Sequence, residues 1–563
     1  MNIVGIDLGT TNSLISCFRD GNCELIPNAH GEVLTPSAIS VLENGAIIVG
    51  QAAKERLYTH PHMTAAAFKR FMGTKKQYML GEHRFTPVEL SSLVLRALKA
   101  DAETALSERI EEAVISVPAY FNDQQRLATK QAGELAGLRV ERLISEPAAA
   151  ALAYGLHENG ADIQFLVFDL GGGTFDVSIV EMFDNIIEVK AVAGDNFLGG
   201  EDFDQAIAEY FIQSQGIKDN LNPKARSIIK EKAESVKHAL SSLTEAGMRV
   251  VIDDREYSAI ITQAAFEKIS EPILTRIRQP VLRALRDANV KPEDLSHVIM
   301  VGGSSRMPLV RACTARLFGR LPMSSIDPDE SVGLGAGIAA ALKSRNKDLK
   351  ERIMTDVCPY TLGTRVTSEN QFGGRDYNVY LPIIERNTVT PCSRAVRLYN
   401  AADNQEMIRI KVYQGESRLA DQNLELGELQ IAIPPRPEGQ SAVDIRYTYD
   451  INGLLEVEAT SVDTGQTKRE VIVNAENRLT PSEIEDCLKR LASIKIHPRE
   501  LSDNRLLLAR AERLYEESLG KTRECIGQRT RAFESVLDIQ DPRQIEAAAR
   551  NFITFLDETE RQI

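Results

Sequence analysis

Two hydrophobic periods divide this chain. From residue 1 to about residue 350, short β-type runs alternate with segments whose apolar residues recur at helical spacing, the pattern of strands interleaved with amphipathic helices. Helical spacing covers Pro87 to Leu106, Asp123 to Ala136, Glu146 to Tyr154, Asp202 to Gln213 and Ala225 to Leu240. Strands are expected at Ala113 to Val117, Phe165 to Phe168, Val177 to Met182 and Val298 to Val301. A charged stretch, Ser344 to Thr355, breaks the alternation and predicts a linker over 351–357, ending near Asp356. Over 358–476 the period drops to that of strands: Val396 to Tyr399, Ile408 to Tyr413, Ala442 to Tyr449 and Leu454 to Ser461. Asn452-Gly453 and Asp463-Thr464-Gly465 supply hairpin turns, so this segment predicts an antiparallel β-sandwich. Helical spacing returns over 480–563, with Thr480 as N-cap, Pro481 at the first helical position and Glu483 completing a capping box. His497-Pro498 interrupts it, Gly520 is expected to end a second helix, and Asp541-Pro542 to start a last one.

Within the first 350 residues one local pattern repeats. Asp7-Leu8-Gly9-Thr10-Thr11 and Asp169-Leu170-Gly171-Gly172-Gly173-Thr174 each follow a short apolar run and lead into a second one, so each reads as strand, tight turn, strand. Glycines let such a turn close and bring backbone N–H groups up to a ligand. The aspartate at each mouth is placed to hold a hydrated divalent metal. Gly302-Gly303-Ser304-Ser305-Arg306 is a third turn of this kind, and an internal duplication accounts for the recurrence. The pair predicts a clamp on the phosphates of one nucleotide. A P-loop is excluded because no GxxxxGK[ST] occurs.

Composition narrows the context. A chain of 563 residues exceeds one hydrophobic core. Its net charge of −14 argues against non-specific nucleic-acid binding, which needs a basic face. Seven cysteines are scattered singly, so neither a zinc site nor a disulfide framework is suggested. The chain opens straight into a strand, and its longest apolar stretch, Val332 to Leu342, is short and glycine-rich. A cytoplasmic protein without a membrane segment is expected.

The segments DLGTTNS, VPAYFNDQQR, EPAAAALAYG, FDLGGGTFDVS, GDNFLGGEDFD and VGGSSRMP, followed by VYQGE and YDINGLLEVEA, stand in an order that resembles the heat-shock seventy-kilodalton (DnaK-type) chaperones. Shortened segments after Gly73 and between Asp204 and Ile261 resemble the bacterial HscC-like branch. The resemblance implies an actin-like (ribonuclease H-like) α/β ATPase domain over 1–350, the linker 351–357, a β-sandwich peptide-binding domain over 358–476 and a short helical lid over 480–563. It implies ATP or ADP with Mg2+ as ligands. Asp7 and Asp169 would hold the magnesium through water; Gly9, Thr10, Thr11 and Asn12, with Gly171, Gly172, Gly173 and Thr174, would line the phosphates. Lys69 matches the lysine that reaches the γ-phosphate and the attacking water, though by itself it reads as a solvated helix lysine. Glu146 and Asp176 are the carboxylates of that cluster; paired acids beside a cation share protons, so no single base is named. Glu234, Lys237 and Ser241 lie on one helix face, and with Gly200, Glu201, Gly302, Gly303, Ser304, Arg306 and Asp329 match the adenosine pocket.

The resemblance extends to coupling and partners. Pro118 and Arg126 match a proline switch, Arg142 a J-domain contact, and Asp356 the end of the linker. Thr364, Thr367, Leu398, Ala401, Ile408, Ile410 and Ile445 match the peptide groove, with Thr364 and Thr367 standing where the family has larger apolar residues. Implied partners are extended segments of unfolded proteins and a J-domain protein, a dedicated one because Ser145 replaces the family's asparagine. The trimmed segments predict weak use of a GrpE-type exchange factor, and a monomer is expected. The rival readings are a holdase or exchange factor without turnover, a small-molecule kinase on the same fold, and an actin-like filament.

Overall fold

The computed structural model describes residues 3–560 apart from 156–162, 184–185, 218–220, 222, 253–254, 324–325, 345–352, 370–373, 451–452, 540–541 and most of 473–519. The chain divides into two compact units, Met1–Pro359 and Tyr360–Ile563. Among the described residues no helix is long and apolar enough to cross a membrane.

The first unit is two lobes built on one plan. In lobe I, β1 (Ile3–Asp7), β2 (Asn12–Arg19) and β3 (Asn22–Ile26) form an antiparallel meander, and β4 (Glu112–Val117) and β5 (Arg139–Ser145) add in parallel beside β1. Lobe II repeats this: β6 (Ile163–Leu170), β7 (Phe175–Phe183) and β8 (Ile186–Asp195) form the meander. Later in the chain β11 (His297–Val301) adds in parallel beside β6, and a single parallel bridge from Ile299 to Met323 occupies the place of β5. The duplication read from the glycine turns is thus a duplication of sheets. Helix α1 (Pro87–Leu106) starts at a capping box of Thr86 and Glu89, and α2 (Asp123–Leu135) at one of Asn122 and Gln125. Each lobe has its own core, one around Ile6, Leu95 and Phe121, the other around Phe168, Phe175, Phe203 and Phe211.

Other elements of the first unit are α3 (Glu146–Gly155), α4 (Gly200–Ser214), α5 (Pro223–Ala239), the hairpin β9 (Glu245–Ile252) and β10 (Arg255–Thr262), α6 (Gln263–Asp287) and α7 (Ser331–Lys343). The apolar, glycine-rich stretch is α7, packed in the interior against β1 and α3. Its glycines permit near backbone-to-backbone contact: a Cβ on Gly335 would lie 1.8 Å from the Ala149 carbonyl oxygen, and one on Gly5 2.0 Å from the Gly337 nitrogen.

Two expectations are corrected. Ile353–Val357, expected as linker, is a strand, β12, added in parallel to β8 with Ile186 opposite Ile353 and Glu188 opposite Thr355. The free edge of β8 offers hydrogen bonds that a charged, aperiodic sequence does not advertise. Gly520 opens a helix, α8 (Gly520–Ile539), instead of ending one; the break falls at Ser518, a residue type that favours non-helical cap positions.

In the second unit, β13 (Leu362–Glu369), β14 (Arg375–Ile384), β16 (Met407–Gln414) and β17 (Leu424–Ala432) form one sheet in the order β14-β13-β16-β17. The other sheet runs β15 (Cys392–Tyr399), β18 (Ala442–Tyr449), β19 (Leu455–Ser461) and β20 (Thr467–Ile472). Both are antiparallel throughout. α8 and α9 (Pro542–Glu560) pack around Phe533, Leu537, Phe552 and Leu556, with the Phe533 and Phe552 rings stacked. Asn452, Thr480 to Glu483, His497-Pro498 and Asp541 lie outside the described residues.

Gly335→Ala is expected to destabilise the first unit by about 1–3 kcal/mol, the usual penalty of overpacking. Gly247→Ala in β9, where a Cβ meets nothing within 4 Å, is expected to stay within about 0.5 kcal/mol of wild type. Denaturant melts of the two variants check this; equal stabilities would contradict the packing.

Candidate active site

The two glycine turns face each other across the cleft between the lobes. A Cβ on Gly172 would fall 1.9 Å from Thr11 Oγ1, so glycine lets the second turn sit against the Thr11 side chain without displacing it. The first turn is framed from within lobe I: the Gly9 N–H donates to Ser13 Oγ (3.1 Å), and Ser37 Oγ donates to the Gly9 carbonyl (2.8 Å). The second is tied to the start of α4, where the Gly200 N–H donates to the Gly171 carbonyl (2.9 Å) and the Glu201 N–H to that of Gly172 (2.8 Å).

Between the turns lies a cavity of about 790 Å³. Asp7, Gly9, Thr10, Thr11 and Asn12 line it from lobe I, with Lys69 and Glu146. Asp169, Gly171, Gly172, Thr174, Gly200, Glu201, Glu234, Lys237, Ser241, Gly302, Gly303, Ser304, Arg306 and Asp329 line it from the other side. Two of the expected residues are not in the lining. Gly173 sits behind its turn against Arg70 and Thr10, and Asp176 lies behind the wall, where Oδ1 accepts from the Tyr120 N–H at 3.2 Å.

Charge dominates the phosphate end. Lys69 is only 3% exposed, and its ammonium donates to Glu146 Oε1 at 2.9 Å. Burial alone would depress its pKa; Glu146 and Asp7 outweigh burial and hold it above its ordinary value. Asp7 accepts from Ser116 Oγ (2.6 Å) yet is pushed up to about 6, by burial first and the Glu146 charge second. Burial, with Glu146 and Asp176, pushes Asp169 well above the usual carboxylate range. Asp176 is raised to about 8, again by burial and then by Glu146. Four carboxylates around one ammonium are short of positive charge, and the raised acids show it. Asp176 Oδ2 is buried without a hydrogen-bond partner. A hydrated divalent cation fits this donor set. Among the described residues no three acidic, His or Cys side chains converge to hold an ion by themselves.

The far end of the cavity is a set of ion pairs. Lys237 bonds Asp204 (2.8 Å) and the Gly200 carbonyl (3.2 Å), and Glu234 pairs with Lys54 at 3.7 Å. Arg306 is held by Asp329 (2.8 Å) and Asp327, which fixes its guanidinium plane at the mouth. Asp204 is raised to about 6 by burial, against the pull of Lys237.

The residues expected to carry coupling fall into two groups. Arg126 is buried and donates to the carbonyls of Phe121 (3.3 Å) and Ala119 (3.4 Å), so it clamps the loop that begins at Pro118. The same loop supplies the Tyr120 N–H to Asp176. Arg142, on β5, is depressed by burial, with the Asp356 carboxylate on β12 opposing that shift. In the sandwich, Ile408, Ile410, Ile445 and Thr364 are buried, with Thr364 Oγ1 donating to the Lys411 carbonyl (2.8 Å). Leu398 is half-buried, and Ala401 and Thr367 are exposed. Ile410 and Ile445, nearly inaccessible, are core of the sandwich before they are walls of a groove.

Sequence reasoning missed Ser13, Ser37, Ser116, Asp204, Tyr120 and Arg70. Ser116 left a trace: it is a lone hydroxyl in an otherwise apolar run, on a strand buried along its whole length. Arg70 left none beyond its adjacency to Lys69.

Comparison with known proteins agrees with this geometry. A family model described as Hsp70 protein matches residues 3–549. Proteins named Chaperone protein DnaK from Thermotoga neapolitana, Thermotoga petrophila and Thermotoga maritima are each 38% identical over 527 residues, covering 91% of this chain and 87% of theirs. They do not distinguish the HscC-like branch. The chain belongs to the Hsp70 family of ATP-dependent chaperones.

Proposed function

We propose that ATP binds between the two glycine turns, that the first unit hydrolyses it, and that its state governs capture of extended polypeptide by the β-sandwich. The observation that carries this reading is the convergence of Asp7, Lys69, Glu146, Asp169 and Thr174 on one cavity between two backbone turns. Magnesium, held through its waters by Asp7 and Asp169, would neutralise charge developing on the phosphates. The backbone N–H groups of both turns and the Thr10, Thr11 and Thr174 hydroxyls orient the phosphates. Lys69, fixed by Glu146, brings a desolvated ammonium to the γ-phosphate and the attacking water. The proton released by that water passes to the coupled carboxylates, Glu146 lining the cavity and Asp176 behind it, with neither named alone as the base. At the adenosine end, Arg306 presents a flat, weakly hydrated face suited to the base.

Leu398 and Ile408 supply the apolar floor of the polypeptide site, backed by Ile410 and Ile445 in the sandwich core, with Thr364, Thr367 and Ala401 around it. Helices after residue 480 act as its lid. Membership of a family whose relatives are DnaK chaperones supports a J-domain protein and a GrpE-type exchange factor as partners, against the expectation of weak exchange-factor use. We place the protein in the cytoplasm, as a monomer with a dedicated J-domain partner.

Lys69→Ala is expected to keep nucleotide affinity while single-turnover hydrolysis falls at least about 100-fold, the scale of losing one preorganised transition-state donor. Hydrolysis that survives the change would return Lys69 to an ordinary ion-paired lysine. A second expectation concerns pH in the absence of nucleotide and metal. Asp176 is raised from 3.8 to about 8 on folding, so the folded chain binds the extra proton between those values. The stability it contributes is full below the unfolded value and is lost as pH rises through the folded one. Asp176→Asn keeps an oxygen for the Tyr120 N–H and removes that loss. Between about pH 6 and about pH 9 wild type should lose at least roughly 1 kcal/mol more than Asp176→Asn, one pKa unit's worth. Parallel stability profiles would show that Asp176 titrates normally.

A further inference from the structure

We infer that Arg70 and Phe71 form a latch that ties the withdrawal of Lys69 to opening of the cleft, and so sets the rate of ADP release. This rests on the nucleotide reading above. Lys69, Arg70 and Phe71 are consecutive on one 3-10 turn, Phe68–Phe71, of lobe I. Lys69 turns into the cavity; the next two residues cross to lobe II. Arg70 Nε donates to the Gly173 carbonyl at 2.8 Å, and its other nitrogens reach Asp202 (3.2 Å) and Glu201 (3.5 Å). These are the phosphate turn and the first residues of α4. The fit is close: a Cβ on Gly173 would lie 2.4 Å from Arg70 Nε. Phe71 meets Phe197 across the cleft, ring centroids 6.3 Å apart and planes tilted by 60°. Phe197 is 55% exposed, so burying more core does not account for its position. Its carbonyl is pinned by Arg276 at 3.2 Å, which makes it a fixed post on lobe II.

The consequence follows from the short turn that carries all three residues. Four residues of 3-10 backbone have no slack, so lobe I cannot move away from the Gly173 turn with Lys69 left in place. Breaking the charge-assisted bond to Gly173 and the contact with Phe197 precedes product loss and removes the reactive ammonium in the same motion. Arg70 is therefore a positioning residue: it acts on the reaction through Lys69 and the second turn.

The test is the dissociation rate of a fluorescent ADP analogue, chased with excess ATP, from the full chain and its variants. Arg70→Ala is expected to speed release about 10-fold, the loss expected of one charge-assisted hydrogen bond. Arg70→Lys, which keeps the charge and can still reach the Gly173 carbonyl, should restore part of the slow release. Phe197→Ala, a change at an exposed ring that leaves folding intact, should speed release by a smaller factor. Combined with Arg70→Ala it should add less than its separate effect, because the two contacts open together. Release rates unchanged in both Arg70→Ala and Phe197→Ala, with ADP bound tightly, would overturn the latch and leave the nucleotide reading standing. A wild-type chain that binds no ADP analogue would overturn both.

Discussion

Three carboxylates and one ammonium line one buried wall, a fourth carboxylate lies behind it, and the rest of the first unit is arranged around that imbalance. Glu146 acts on Asp7, Asp169 and Asp176 alike through a medium that water screens poorly, and Lys69 offsets only part of it. Such a cluster is held in place only by a scaffold that supplies hydrogen bonds where charge cannot be balanced: Ser116 to Asp7, and the Tyr120 N–H to Asp176. Its remaining demand for positive charge is what a metal-bound polyphosphate site provides. That imbalance favours an occupant that brings a cation with it.

The same bonds that hold the acids lead outward from them. Asp176 is capped by a loop whose carbonyls are clamped by Arg126 and whose first residue is Pro118, so a change in charge at Asp176 falls directly on that loop. β4, which carries Ser116 to Asp7, is followed by this loop and pairs with β5, which carries Arg142 toward Asp356 on the added strand β12. β4 and β5 are neighbouring strands of the lobe I sheet, so the bond to Asp7 and the attraction of Arg142 to Asp356 start side by side.

Much of this is legible in the sequence. The glycine turns, their aspartates and the helices from Pro87 and Asp123 announce themselves by spacing and by turn chemistry, which act locally. The duplicated sheet followed from the repeat. What stayed hidden depends on partners distant in sequence. Arg70 meets Gly173 more than a hundred residues away, and Lys237 is claimed by Asp204 on another helix. The charged segment after Ser344 reads as linker because no periodicity marks a strand that borrows its hydrogen bonds from the edge of β8. Ile410 and Ile445 match a groove by resemblance, and the sandwich keeps them nearly inaccessible, since alternating apolar residues do not say which of them the second sheet will cover.

The most direct test of the account is single-turnover hydrolysis of ATP by the full chain, measured with and without an unfolded polypeptide and a J-domain protein. Turnover that rises several-fold with polypeptide and further with the J-domain protein, and does not change with glucose, is the predicted result. A chain that binds ATP and does not turn it over, or that turns it over at the same rate whatever polypeptide is present, would contradict the claim that the buried acid cluster reports to the sandwich.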